Sequence, residues 1–387
     1  MRKYLFICLF TYLVFTIFVQ CTSSSGSKDK DLLEDARAIE FGKLEKEKTS
    51  MLHELTFIKL ETNDDCLIKQ INQIQVFDNH IYVLDVRGLY TFDMEGKYVR
   101  GLIASGDGPG EFLSPFSFWI DRSGFIFILD RQLNRLLKYD ISNLIFVESI
   151  MMPFMSPISF AKMPDTELFI YYYPIRSIAG SASRQIIIAD KQGVVHTELL
   201  EGDASGKILH GGCSNFYTED SMLRFYPYFS NRIYTISADT LQNTYSLYFK
   251  ENTFPDSNVF LKYDSSRDLM KELLSGDHQW IRLMYVYETD KSVVVKYYIK
   301  RDRYVGVWDK SSGKTINFKC DQVIDDMGLG GKFPLPIGVY GDQIIGVMHP
   351  SDLDRTQIKD PVLDRLMKTV EDSDNPVLAI YQFKEQV

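Results

Sequence analysis

The sequence predicts an all-β fold: a six-bladed β-propeller closed by an N-terminal strand, with short helical insertions. Three observations predict it. Aromatic residues make up 13% of the 387-residue chain, with 23 Tyr and 26 Phe gathered in short alternating runs, the habit of strands rather than helices. Ile81-Tyr82-Val83-Leu84-Asp85 returns as Ile126-Phe127-Ile128-Leu129-Asp130, and Tyr90-Thr91-Phe92-Asp93 returns as Leu137-Lys138-Tyr139-Asp140. That shift of about 45 residues is the period of a propeller blade. Finally, one early strand belongs to no unit, while the last unit is one strand short.

The first thirty residues stand apart. Arg2 and Lys3 precede an apolar run from Tyr4 to Val19, which ends at Cys21 and the small polar stretch "TSSSGSKDKD". The run is shorter than the roughly 20 residues a membrane span needs. It reads as a lipoprotein signal peptide over 1–20, with Cys21 as the lipid anchor after cleavage. The alternative is a signal anchor or an ordinary secretory peptide with an incidental cysteine. Gln20 stands where a small residue is usual. Residues 21–50 then read as a charged tether, containing at most a short helix, and 51–387 as the propeller domain.

Strand signals begin with "ELTFIKLET", Glu54 to Thr62, the strand without a unit. The first unit runs over "INQIQVFDNHIYVLDVRGLYTFDMEGKYVRGLI", with turns at Asp78-Asn79, Arg87-Gly88 and Glu95-Gly96. "FSFWIDRSGFIFILDRQLNRLLKYDISNLIFVESI" is the second unit. "ISFAKMPDTELFIYYYPI" with "RQIIIADKQGVVHTELL" is the third, and "FYTEDSMLRFYPYFSNRIYTISADTLQNTYSLYF" the fourth. A helical insertion is expected in "SNVFLKYDSSRDLMKELLSGD", before a fifth unit that ends near "TINFK". The sixth begins at "LPIGVYGDQIIGVM", is interrupted by "SDLDRTQIKDPVLDRLMKTVEDSD", which has leucines near helical spacing, and resumes at "NPVLAIYQFK". Pairing Glu54–Thr62 with that final strand closes the circle and leaves only short, protected sheet edges.

The glycine-rich "GDGPGEFLSP", Gly106 to Pro115, lies between the first and second units. Its G-x-G-x-G spacing matches neither a P-loop nor a dinucleotide loop, and no helix pattern follows it. "SSGKT" fails as a P-loop too, because Trp308 stands where the earlier glycine is required. The first stretch is therefore a structural corner, where the chain crosses from the outer edge of one blade to the inner edge of the next. Gly106, Gly108 and Gly110 permit positive φ. Pro109 stiffens the corner, Glu111 accepts loop N–H groups, and Phe112 plugs the gap between blades.

These corner residues carry a resemblance. Gly108-Pro109-Gly110-Glu111-Phe112, Pro115, Asp121, Gly124, Asp130, Asn134 and Arg135 resemble the NHL repeat. With the first strand "FIKLET", the late "DDMGLGGKFP" and the closing "NPVL", residues 50–387 resemble the six-bladed β-propeller lipoproteins of Bacteroides-type bacteria. The resemblance implies the fold and a lipid-anchored place in the cell envelope, on the outer membrane. Surface-exported members carry acids just after the cysteine. Here Ser23-Ser24-Ser25 come first and Asp29 is the nearest acid, which favours the periplasmic face. The family has little assigned biochemistry, so the resemblance implies no substrate.

The residues themselves offer little catalytic chemistry. The six histidines show no H-E-x-x-H spacing, and G-x-S-x-G does not occur. No catalytic residue is assigned. Asp85 and Asp130 end equivalent strands, which points to a repeated turn bond. Asp325 and Asp326 are the polar candidates for the channel mouth, against a solvated-turn alternative. The runs "FYPYF" and "YYYP" suit either sugar stacking or blade packing. Outside the signal and anchor, Cys66, Cys213 and Cys320 are widely spaced. At most one disulfide can form, and buried free thiols are expected. A formal net charge of −9 and the lack of a basic stripe argue against nucleic acid.

Three functions fit. The first is a membrane-displayed binding or interaction scaffold for a protein, peptide or glycan, without a cofactor and more a binder than an enzyme. The second is a hydrolase or lyase with calcium or zinc in the central channel. The third is a structural subunit of an envelope complex.

Overall fold

Short turns leave each strand little choice of partner but its sequence neighbour, so four-stranded antiparallel sheets form one after another. The computed structural model describes residues 36–103, 106–174, 184–202, 214–263 and 265–385. The signal segment, Cys21, His210 and Cys213 lie outside the described residues.

Among the described residues, two strands precede the first full blade: β1 (Arg37–Phe41) and β2 (Leu52–Lys59). Blade 1 is β3–β6 (Gln73–Phe77, His80–Leu84, Gly88–Asp93, Tyr98–Ile103). Blade 2 is β7–β10 (Pro115–Ile120, Phe125–Asp130, Arg135–Asp140, Phe146–Met151). Blade 3 is β11–β14 (Ser159–Lys162, Phe169–Tyr172, Arg184–Ala189, Val195–Glu201). Blade 4 is β15–β18 (Phe216–Glu219, Met222–Phe225, Arg232–Ile236, Leu241–Phe249). Blade 5 is β19–β22 (Ile281–Glu288, Ser292–Ile299, Asp302–Asp309, Thr315–Lys319). Blade 6 joins β23 (Leu335–Tyr340), β24 (Gln343–Met348) and β25 (Val377–Phe383) to β2, in the order β2-β25-β24-β23. The fold is the six-bladed propeller that the sequence predicts.

The closure is as expected. β2 runs antiparallel to β25, from Leu52 opposite Phe383 to Lys59 opposite Val377. The strand stops short of Thr62 because Leu60–Thr62 turn into a joint. There Asn375, wholly buried, accepts from the Ile68 N–H (2.7 Å) and donates to the Glu61 and Cys66 carbonyls (2.6 and 2.7 Å). Its own N–H donates to Thr62 Oγ1 at 2.8 Å.

The core is a circle of inter-blade layers. The middle strands are buried on both faces, as in the unbroken apolar run Ile81–Leu84, because each blade stacks against two neighbours. One layer joins Tyr82 and Leu84 of blade 1 to Phe118 and Ile126 of blade 2. Another joins Ile58 and Ile345 of blade 6 to Ile81 and Val83 of blade 1. The outermost strands are sandwiched less, and β10 alternates exposed and covered positions.

Of the stretch 21–50 expected as a tether, the described part, 36–50, packs against the blades. β1 adds a fifth strand to blade 4, parallel to β18, from Arg37 opposite Tyr245 to Phe41 opposite Phe249. Its alternate residues Ile39 and Phe41 are buried, and Phe41 stacks on Phe249 at 4.8 Å. Gly306 in β21 makes room: a Cβ there would lie 2.7 Å from the Phe41 ring. Single bridges then link Glu45 to Phe318 and Lys48 to Ile324.

The first helical insertion is α1 (Ser257–Leu261) and α2 (Ser266–Ser275). In the second, the expected helix is mostly absent. Two 3-10 turns (Pro350–Asp352 and Arg355–Gln357) precede the seven-residue α3 (Pro361–Met367). Pro361 disfavours helix just before itself yet suits the first helical position. Asp360 caps the N–H groups of Val362 and Leu363. Cys66 and Cys320 are buried free thiols, and burial pushes the Cys320 thiol up to about 12.

Replacing Asn375 with Ala leaves the Ile68 N–H and the Cys66 carbonyl unpaired, at about 1 kcal/mol or more each, while the Glu61 carbonyl keeps the Cys66 thiol. Asn375→Ala should therefore lose about 2 kcal/mol or more in urea unfolding, with the transition still cooperative. A midpoint equal to the wild type's would show that the joint is dispensable.

Candidate functional site

The corner motif does what its residues suggest, with one difference. Gly110 has φ +74°, and a Cβ there would lie 2.7 Å from the Phe146 side chain. Gly108 does not have a positive φ. Its limit is Glu111, whose carboxylate accepts the Gly108 N–H at 3.0 Å and would sit 3.0 Å from an added Cβ. Arg135 donates to the carbonyls of Asp107, Gly108 and Glu111, and the Tyr139 hydroxyl donates to that of Gly110. Phe112 is buried between blades 1 and 2. Pro109 sits between Gly108 and Gly110 in the same turn.

Asp85 and Asp130 play matching roles. Asp85 accepts from Lys69 N–H (3.0 Å) and Asp130 from Leu113 N–H (2.8 Å), so each holds the segment that enters its own blade. Asp325 and Asp326 are placed away from the channel. Asp325 accepts from the Leu329 and Gly331 N–H groups at 2.8 and 2.7 Å. Asp326 accepts from Ser50 N–H (2.8 Å), Ser50 Oγ (2.7 Å) and Thr49 Oγ1 (3.1 Å). Both carboxylates pin the approach to β2, and hydrogen bonds from Ser50 hold the Asp326 carboxyl below its ordinary value of 3.8.

The channel itself is lined from five blades. Inner strands β3, β7, β15, β19 and β23 enclose a cavity of about 550 Å³. Its wall is aromatic at Phe77, Trp119, Tyr217, Tyr285, Tyr287 and Tyr298, and carries the amides of Asn72, Gln73 and Gln75. Gln73 stands in for a missing strand pair between blades 1 and 2: its side chain accepts the Phe118 N–H (2.9 Å) and donates to the Phe118 carbonyl (2.8 Å). Gln75 donates to that carbonyl at 3.3 Å. Exposed Thr218 also faces the cavity.

The charged groups of the wall are tied to the blades. Buried Lys296 donates to the Pro336 carbonyl of β23, with its ammonium 4.7 Å from the Tyr285 ring centre and 5.4 Å from that of Tyr287. The wholly buried Glu288 carboxylate accepts from the Tyr217 and Tyr245 hydroxyls, both at 2.8 Å. Lys310 stands at 2.9 Å and Arg224 at 3.7 Å. Burial and the Glu288 charge hold the Tyr217 hydroxyl well above its usual range. At one mouth, Arg122 in the β7–β8 turn donates to Ser221 Oγ in the β15–β16 turn (2.7 Å), past the intervening blade 3.

Among the described residues, Glu219, Asp220 and Asp290 bring carboxylate oxygens within 4.8 Å of one another. Lys310 already lies 3.0 Å from Glu219. A dication there would have to compete with that ammonium, so the donor set suits a paired acidic turn better than calcium or zinc. No described histidine lines the cavity. His196 pairs with Asp190 (3.2 Å) and His80 contacts the Asp78 carbonyl (2.8 Å). Residues such as Gln73, Glu288 and Lys296 leave no local sequence signal, because Phe118, the Tyr217 and Tyr245 hydroxyls and the Pro336 carbonyl, which they bind, lie on other strands 40 or more positions away.

The model of a family described as "6-bladed beta-propeller" (DUF5128) matches residues 27–347. The chain is similar to a Bacteroides fragilis protein of known structure whose name marks it as a candidate exported protein. The identity is 22% and the TM-score 0.81, covering 90% of this chain and 100% of that one. At that identity the likeness speaks to fold alone. A virginiamycin B lyase from Staphylococcus aureus is 12% identical, with a TM-score of 0.41 and coverage of 76% and 81%. No curated protein matches the chain.

The lowered Asp326 carboxyl gives a pH signature. A depressed carboxyl stabilises the fold above its unfolded value and loses that contribution as pH falls through the folded one. Asp326→Asn should melt below the wild type at pH 7, and the gap should close as pH drops below 3.8. A gap that stays constant with pH would show that the charge of Asp326 is not what holds Ser50.

Proposed function

The chain belongs to this six-bladed β-propeller family, and from that premise we propose that it is a binding protein of the bacterial envelope. In this reading it is anchored by lipid at Cys21 and takes a peptide or glycan segment into its axial cavity. The observation that carries the reading is the cavity wall. Aromatic faces and amides suit a neutral, extended ligand. The two buried charges, Glu288 and Lys296, are occupied in joining blades, so neither is placed as a general acid or base. Export is supported by the basic and apolar character of residues 1–20 and by the small polar run that follows.

The cavity is tested by filling it. Thr218→Trp puts a large side chain at an exposed wall position and should leave the melting temperature unchanged. On peptide and glycan arrays, ligands held by the wild type should bind the variant at least tenfold more weakly. Equal binding by both proteins, or calcium or zinc copurifying in stoichiometric amount, would overturn the reading.

The anchor is tested by fractionation. Cys21→Ser should move the protein from the membrane to the soluble fraction. A variant that stays on the membrane with its N-terminus uncleaved would make residues 1–20 a signal anchor.

A further inference from the structure

Away from the channel, Arg267 and Lys271 of α2 and Arg301 of the β20–β21 turn line one open pocket of about 660 Å³, together with Met270, Leu274 and Ser275. Nearby acids are directed elsewhere. Asp268 accepts from the Ser265 hydroxyl at 2.6 Å, Glu272 faces His278 at 4.0 Å, and Asp302 pairs with Lys319 at 2.7 Å. Among the described residues, the side chains of Arg267, Lys271 and Arg301 have neither an ion pair nor a hydrogen bond.

The arrangement is locally unfavourable in two ways. Arg267 stands in the first turn of α2, where the helix dipole opposes a cation. Arg267 and Lys271 are four residues apart on one helix, a like-charge pair that weakens it. A third cation from another element is then added, in a chain whose net charge is −9. A bound anion relieves all three repulsions at once.

We propose that this pocket binds a phosphate-bearing ligand. Two guanidinium groups and an ammonium match the several oxygens of a phosphate. Met270 and Leu274 offer apolar contact to whatever the phosphate is attached to. The helix is held by other residues: Leu269 and Leu273 pack on Phe260, so the cations can be changed without undocking it.

The test uses the full chain in phosphatidylcholine vesicles, titrated calorimetrically with inorganic pyrophosphate and with dihexanoyl phosphatidic acid. Arg267→Ala combined with Lys271→Ala should weaken binding of both probes at least tenfold, at a melting temperature no lower than the wild type's. Arg267→Lys should retain most of the affinity, and added salt should reduce it. Tighter binding of the lipid probe assigns the phosphate to a headgroup; equal or tighter binding of pyrophosphate assigns it to a free phosphate ester. Absence of binding by either probe, or unchanged affinity in the double variant, overturns the proposal.

Discussion

The structure depends first on a hydrogen-bonded joint between its two ends. Asn375 and the β2–β25 ladder bring together residues such as Ile68 and Asn375, 307 positions apart. The entropy of closing so long a loop grows only slowly with its length, yet it must be met before blades 1 and 6 each gain a second neighbour. Each inter-blade layer needs two faces. Without the joint, blades 6 and 1 would each expose one, and the layer that includes Ile58, Ile81 and Val83 would be lost. The apolar core and the closure are thus one constraint: the layers form a circle only if the circle is shut.

Polar groups do similar work nearer the axis, where the inner strands diverge and cannot pair. Gln73 bridges blades 1 and 2, Glu288 gathers hydroxyls and cations from blades 4 and 5, and Lys296 crosses from blade 5 to blade 6. A buried carboxylate is tolerated when its lone pairs are filled, and Glu288 has four partners. The wall that a ligand would meet is therefore stiff, and what remains available to it is chiefly aromatic surface and amide.

Much of this could be read from sequence. The blades were legible because their period of two sits inside a longer repeat, and the corner because glycine, proline and a plug aromatic have few other uses together. β1 was not legible. "RAIEF" lies among charges, and only its distant partner β18 shows why Ile39 and Phe41 alternate inward. Asp325 and Asp326 looked like exposed loop acids, since Thr49 and Ser50, their partners, lie 276 positions upstream. The channel wall draws one or two residues from each of several strands, so no local window contains its pattern.

The segment from Ala36 to Lys59 has a mechanical meaning. It lies along blade 4 as β1, touches blade 5 through Glu45 and Lys48, and ends as the outer strand of blade 6. A pull on the chain ahead of Ala36 acts along β1, and a parallel ladder loaded along its length must break its bonds together rather than one by one. The force is then shared with blade 5 before it reaches the closure. The strap would work as a strain relief: tension applied there would be met first at blade 4, and the seam that keeps the circle shut would be the last part to feel it.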